Sequence, residues 1–287
     1  MKTLTIVVIC LAVSRGVSGE SSPQNGQKIH FRTIRNSIIA VPVSLNGRGP
    51  FDFVLDTGTD TSIIDTELAN QLGLKYIDEA TLFTAAGRHS FSRAFIQTVA
   101  VGGTVGRDVE VLATEVNPIF RDRKVRGVLG ENFLIHFDIL LDYKNGVVDL
   151  RSPCNPEPIK GVRIPISFEH GRPALLWKTS NGSDLRLLLD SGTSALTFFK
   201  ADVSNFRPCI VQACNASMET IVSSSAVYPG IVPSFHIGDA SLHDVPAFYS
   251  AQKPDGDNLD GMLPTGIFRF VYINNHEGFA VFGPGAP

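Results

Sequence analysis

Two stretches of this 287-residue chain carry one pattern: Phe53-Val54-Leu55-Asp56-Thr57-Gly58-Thr59 returns 134 positions later as Leu187-Leu188-Leu189-Asp190-Ser191-Gly192-Thr193. The same spacing relates Gly127-Val128-Leu129-Gly130 to Gly261-Met262-Leu263-Pro264, and it becomes 136 between Val101-Gly102 with Asp108-Val109 and Ile237-Gly238 with Asp244-Val245. A repeat of this kind dictates the architecture, because each copy is one structural unit and two copies can build a site across their junction.

Each copy opens alike. A strand-like run, Ser37 to Leu45 and then Ala174 to Thr179, ends at an Asn-Gly pair, Asn46-Gly47 and Asn181-Gly182. Asn-Gly between apolar runs is the strongest short hairpin signal, and the second strand of each hairpin runs into the Asp triplet. Short helices are expected at Asp65 to Leu72 and near Glu131 to Ile135, with strands nearly everywhere else. The 26 glycines, 17 prolines and frequent β-branched runs agree with a β-rich fold of many turns. Residues 153–158, Pro-Cys-Asn-Pro-Glu-Pro, cannot join a sheet interior and read as a linker. Lobe 1 is therefore placed at 28–152, lobe 2 at 159–287, and the polar residues 20–27 form a loose N-terminus.

With 43% hydrophobic and 18% charged residues the chain can bury a sizeable core. A net charge of −3 supplies no cationic surface for phosphate backbones or anionic lipid, so nucleic acid is not an expected partner. Residues 1–19 have the makings of a secretory signal: Lys2, an apolar run from Leu4 to Val13, and small residues at Val17-Ser18-Gly19. The competing reading is an N-terminal strand. No apolar run approaches the ~20 residues that a membrane-crossing helix needs. The expectation is a secreted or periplasmic soluble protein. Cys10 lies inside the signal; Cys209 and Cys214 are spaced to close a small disulfide loop in an oxidising compartment, and unpaired thiols, Cys154 among them, are the equal alternative.

An apolar strand ending at Asp-Thr-Gly or Asp-Ser-Gly delivers a carboxylate at a turn where glycine permits close backbone approach. If an approximate twofold axis relates the copies, Asp56 and Asp190 face one another. Two carboxylates within a few ångströms cannot both ionise easily, so they share a proton. The ionised member can then take a proton from water while the protonated member donates to a substrate carbonyl, which is peptide-bond hydrolysis without a covalent intermediate.

At this point the sequence resembles the aspartic proteases, with Asp-Thr/Ser-Gly followed by a hydrophobic-hydrophobic-Gly signature in each half. Asp190-Ser191-Gly192-Thr193-Ser194 is similar to the second-lobe motif of pepsin-like enzymes, while the short lobes look like retropepsin domains in tandem. The resemblance spans most of residues 31–283. It implies an all-β, two-lobed acid-protease fold, each lobe a retropepsin-like barrel or sheet with minor helices, a polypeptide substrate in the groove, and no metal or organic cofactor. It makes Asp56 and Asp190 catalytic, Thr57 and Ser191 the hydroxyls bracing the two loops, and Gly58 and Gly192 the turn glycines. It also implies a flap, for which the hairpin Phe83 to His89 with its tip at Ala86-Gly87-Arg88 is the candidate; a plain surface hairpin is the alternative. Cys209 and Cys214 resemble a small disulfide loop of pepsin-like enzymes, although there the loop follows the first motif.

One departure stands out. In the second half the signature ends in Pro264 where the first has Gly130, so the loops behind the two aspartates must differ in hydrogen bonding. A catalytically silent peptide-binding module is the alternative this motivates. The seven histidines show no zinc-ligand spacing and read as surface or strand residues. Trp177 and the 19 phenylalanines read as core. Asn181-Gly182-Ser183 and Asn215-Ala216-Ser217 fit the glycosylation acceptor pattern. Both aspartates come from one chain, which favours a monomer.

Overall fold

In the computed structural model the described residues are 4–7, 28–34, 37–84, 87–152, 159–200, 203, 206–209, 216–219, 224–253 and 258–283. Ile38–Leu45 turns back into Arg48–Leu55 at Asn46-Gly47, whose φ values of 49° and 74° are both left-handed. That is the turn whose backbone twist matches two antiparallel strands, and Asn-Gly tolerates it. Arg48–Leu55 is then flanked on both sides, by Ile38–Leu45 antiparallel (Ala40 opposite Val54) and by Val125–Leu129 parallel (Leu129 opposite Leu55). A strand with two neighbours holds its last residue rigidly, and the residue after Leu55 is Asp56.

The second half repeats this framework at the same offset. Asp184–Asp190 lies between Arg172–Lys178, with Ala174 opposite Leu188, and Gly261–Pro264, with Leu263 opposite Leu189. The long hairpins Gly87–Val101 with Thr104–Thr114, and Ser224–Ile237 with Ala240–Tyr249, correspond as well. Each carries a left-handed aspartate at the matched position, Asp108 (φ 48°) and Asp244 (φ 50°), a conformation that short polar side chains tolerate. Gly127 and Gly261 mark close crossings: a Cβ on Gly127 would lie 2.4 Å from the Ile63 carbonyl oxygen, and one on Gly261 2.4 Å from that of Thr197.

A shared sheet joins the halves. Asp138–Asp142 pairs antiparallel with Phe270–Asn274, putting Leu140 opposite Tyr272, and each strand also pairs with its own hairpin partner, Val147–Arg151 or Phe279–Phe282. Eight strands of the first half form one sheet, while the joining strands continue into the sheet of the second. The largest core cluster runs through both halves, from Val41, Phe53 and Leu55 to Leu187, Leu189 and Phe282. Trp177 lies in it, 2% exposed, stacked 4.6 Å from Phe235 with its indole N–H donated to the His236 carbonyl.

The fold is all-β, as expected. The two expected helices form as Thr66–Leu72 and Glu131–Leu134; the first ends at Gly73, whose φ of 70° lets its N–H cap the Ala69 and Asn70 carbonyls. Two single turns, Asn117–Phe120 and the 3-10 turn Thr265–Ile267, are too short to leave a readable period. The second Asn-Gly does not make a two-residue turn. Thr179 N–H bonds the Ser183 carbonyl at 2.8 Å and the Asn181 side chain accepts from Ser183 N–H, so residues 179–183 form one longer loop between Lys178 and Asp184. Local side-chain hydrogen bonding outcompetes the tight turn there.

Leu4–Val7 runs parallel to Ala216–Glu219. The rest of 1–19, residues 20–27, the expected linker 153–158, Cys10, Cys154, Cys214, Asn215 and Ala86 lie outside the described residues. No helix among the described residues is long and apolar enough to cross a membrane.

Candidate active site

The two Asp loops meet at the junction and brace each other reciprocally. Thr57 donates its hydroxyl to the Leu189 carbonyl at 2.7 Å, and Ser191 donates its own to the Leu55 carbonyl at 2.8 Å. Each hydroxyl also accepts the backbone N–H of the other residue, Ser191 N at 3.1 Å and Thr57 N at 3.0 Å. All four bonds are buried, and each loop thereby fixes the strand that carries the opposite aspartate. Within each loop the turn glycine donates its N–H to one carboxyl oxygen: Gly58 to Asp56 Oδ1 and Gly192 to Asp190 Oδ1, both at 2.8 Å. A Cβ on Gly58 would lie 2.4 Å from Asp190 Cγ, and one on Gly192 2.2 Å from Asp56 Cγ, so each carboxyl rests against the other loop's glycine.

Asp56 and Asp190 are fully buried, and no backbone or side-chain donor among the described residues reaches either Oδ2. Burial pushes Asp56 well above the ordinary carboxylate range; the neighbouring Asp190 charge adds to this and the Gly58 N–H opposes it. Burial likewise raises Asp190, against the pull of the Gly192 and Thr193 N–H groups and the Arg172 charge. The pair therefore retains a proton at pH values where isolated carboxyls have lost theirs.

What surrounds the pair is not symmetric. Glu131, which follows Gly130, is 2% exposed, and neither of its carboxyl oxygens has a hydrogen-bond partner among the described residues; burial pushes it well up, with Arg172 pulling it down. Its counterpart 134 positions later is Thr265, whose hydroxyl lies 2.5 Å from the Tyr143 hydroxyl. Arg172 is fully buried and donates to the carbonyls of Glu169 at 3.1 Å and Gly58 at 3.4 Å.

The structure also accounts for Pro264. In the first half Gly130 N–H donates to Ser62 Oγ at 3.0 Å, and that hydroxyl donates to the Asn132 side chain at 2.7 Å. The matched pair in the second half is Pro264 and Leu196, since Ile63 pairs with Val128 as Thr197 pairs with Met262. Donor and acceptor are missing together, so no buried group is left unsatisfied by the proline.

The structure brings Asp56, Thr57, Gly58, Asp190, Ser191 and Gly192 together at one point. Of the flap candidates, Gly87 and Arg88 begin the second strand of a hairpin in which Gly87 pairs with Thr84 and Arg88 with Phe83, and Ala86 lies outside the described residues. Cys209 is a free, exposed thiol with its N–H fixed to the Pro229 carbonyl, and Cys214, its suggested partner, lies outside the described residues. His236 and His243 are exposed on neighbouring strands. Sequence reading missed Arg172, Glu131, Tyr143 and Thr265 as neighbours of the pair. The available signals were the position of Glu131 beside the Gly130 signature, and an arginine where the first half has the apolar Ile38.

No curated protein matches the sequence. Among solved structures, the chain is similar to a retropepsin-like aspartic protease from Rickettsia conorii, with 18% identity over 47% of this chain and 96% of that one and a TM-score of 0.34. Residues 41–133 match the family described as Aspartyl protease. That match covers the segment that carries Asp56, its turn and Glu131.

Proposed function

We propose that this protein is an aspartic endopeptidase, secreted or periplasmic, that hydrolyses peptide bonds through a water held by Asp56 and Asp190. One observation carries the reading: two buried carboxyls from matched loops each rest against the other loop's glycine and leave both Oδ2 atoms without donors among the described residues. Those oxygens can bind a water from two sides. The ionised aspartate takes a proton from it as it attacks the scissile carbonyl, and the protonated aspartate donates to the carbonyl oxygen. The reciprocal Thr57 and Ser191 bonds hold the geometry that such a step needs, because both aspartates sit at strand ends that cannot drift apart. Both carboxyls come from one chain, which supports a monomer as the active unit. The apolar run after Lys2 supports export.

The experiment is a peptide-library cleavage assay across pH 3 to 8 on the purified chain, with and without a statine-type inhibitor. Inhibitor-sensitive cleavage that falls by at least about 10²-fold in Asp56→Asn and separately in Asp190→Asn is expected. Peptide that binds a folded sample yet is never cut would overturn the enzyme reading in favour of a silent peptide-binding module. N-terminal sequencing of the exported protein tests a cut ahead of Glu20.

A further inference from the structure

The matched loops deliver two aspartates in equivalent settings, but two buried ionisable groups beside them, Glu131 and Arg172, have no counterpart, and of these the arginine keeps its charge. Arg172 begins the strand Arg172–Lys178, and because Ala174 pairs with Leu188 as Ala40 pairs with Val54, its equivalent in the first half is Ile38. Both positions are fully buried. Arg172 Nη1 reaches the Gly58 carbonyl at 3.4 Å, and Gly58 is the residue against which the Asp190 carboxyl rests. On the opposite side the Asp56 carboxyl rests against Gly192, and the position equivalent to Arg172 is an isoleucine.

A guanidinium does not shed its charge under any condition a protein survives. In a buried setting, a fixed positive charge beside one of two matched carboxyls favours the ionised form of that one. We propose that Arg172 is a positioning residue for the shared proton: it breaks the equivalence of the two aspartates, so that Asp190 is the ionised member and Asp56 carries the proton.

The other groups facing the pair agree or are neutral to it. Asp56 meets Asp190 and the Glu131 carboxyl, which work against its ionisation, and the Gly58 N–H, which favours it as its counterpart Gly192 does for Asp190. Asp190 meets the Gly192 and Thr193 N–H groups and Arg172, all of which favour its ionisation. Tyr143, partly buried near Asp190 and bonded to Thr265, is pushed above its ordinary range by burial and stays neutral. Asp60 is a further buried carboxyl in the Asp56 loop. On the peptidase reading proposed above, Asp190 is then the base that deprotonates water and Asp56 the acid. The assignment of those roles rests on that reading, whereas the location of the proton does not.

The test is a carbon-13 NMR titration of the aspartate carboxyls in the full chain, in Asp56→Asn and Asp190→Asn backgrounds. Each background leaves one carboxyl of the pair beside a neutral isostere. Asp190 is expected to ionise about one pH unit or more below Asp56. Adding Arg172→Met should close the gap, and Arg172→Lys should keep much of it, which a merely space-filling arginine would not do. Equal or reversed order overturns the proposal, as does a gap that survives Arg172→Met in folded protein or one that Glu131→Gln alone abolishes. If circular dichroism shows Arg172→Met unfolded, the order in the two Asn backgrounds and the Glu131→Gln result still decide. Cleavage is read separately: a chain that cuts no peptide loses the peptidase reading and leaves the proton's location to the titration.

Discussion

Thr57 and Ser191 each donate a hydroxyl to the carbonyl of the residue just before the other's aspartate, Leu189 at 2.7 Å and Leu55 at 2.8 Å, and each accepts the other's N–H. The join between the halves and the alignment of the two carboxyls are therefore one set of bonds, so loosening it should affect stability and chemistry together.

Thr57→Val removes one hydroxyl and strands the Leu189 carbonyl and the Ser191 N–H. Ser191→Ala does the same to Leu55 and Thr57. Each should cost about 1–3 kcal/mol in urea unfolding, because buried backbone groups lose their partners. The double variant should depart from additivity by more than about 0.5 kcal/mol, since the two hydroxyls share one network. Strict additivity would show the loops to be held independently.

Adding a methyl group at Gly58 or Gly192 should be worse for activity than for folding. The new Cβ would lie 2.4 Å from Asp190 Cγ or 2.2 Å from Asp56 Cγ, and the carboxyl must move away from its partner. Gly58→Ala and Gly192→Ala are expected to lose cleavage by about 10²-fold or more and stability by about 1–3 kcal/mol. Unchanged kcat/KM in either variant would place the carboxyls elsewhere.

The pair also sets a pH dependence of stability. Burial raises both aspartates in the folded chain, so folded protein keeps protons that the unfolded chain releases above about pH 4. The contribution is fully present below that point and is lost as pH rises through the raised folded values. Asp56→Asn and Asp190→Asn should each gain more than about 1 kcal/mol relative to the native chain between pH 3 and pH 7. Urea midpoints at both pH values check this; a difference that does not vary with pH would mean that the carboxyls titrate normally.

Gly130 and Pro264 should resist substitution for different reasons although they occupy matched positions. A Cβ on Gly130 would lie 2.8 Å from the Thr61 carbonyl carbon and 2.9 Å from its oxygen, so Gly130→Ala should cost about 1–3 kcal/mol. Pro264→Gly frees a buried N–H where Leu196 offers no acceptor and also gives the unfolded chain more freedom, and should cost about 1–3 kcal/mol. Cleavage by Pro264→Gly close to the native rate would show that the proline does not silence the site.

The repeat, the strands around each Asp triplet, both longer helices and the meeting of Asp56 with Asp190 were legible because each rests on local pattern or on equivalence between copies. Asn46-Gly47 behaved as its dipeptide predicts. Asn181-Gly182 did not, because Thr179, Asn181 and Ser183 offered each other nearer hydrogen bonds. The Pro264 departure looked like a defect until Leu196 was seen beside it, a compensation between residues 68 positions apart that no window along the chain exposes.

The sequence by itself determined that two copies of one β unit exist and that each ends a buried strand in a carboxylate, because alternation, turn chemistry and repetition are written in consecutive residues. Only the tertiary structure decided what stands around those carboxylates. Arg172, Glu131, Tyr143 and Thr265 come from separate strands and turns, and their effect on the pair depends on burial and distance, which exist only once the two halves have closed on each other.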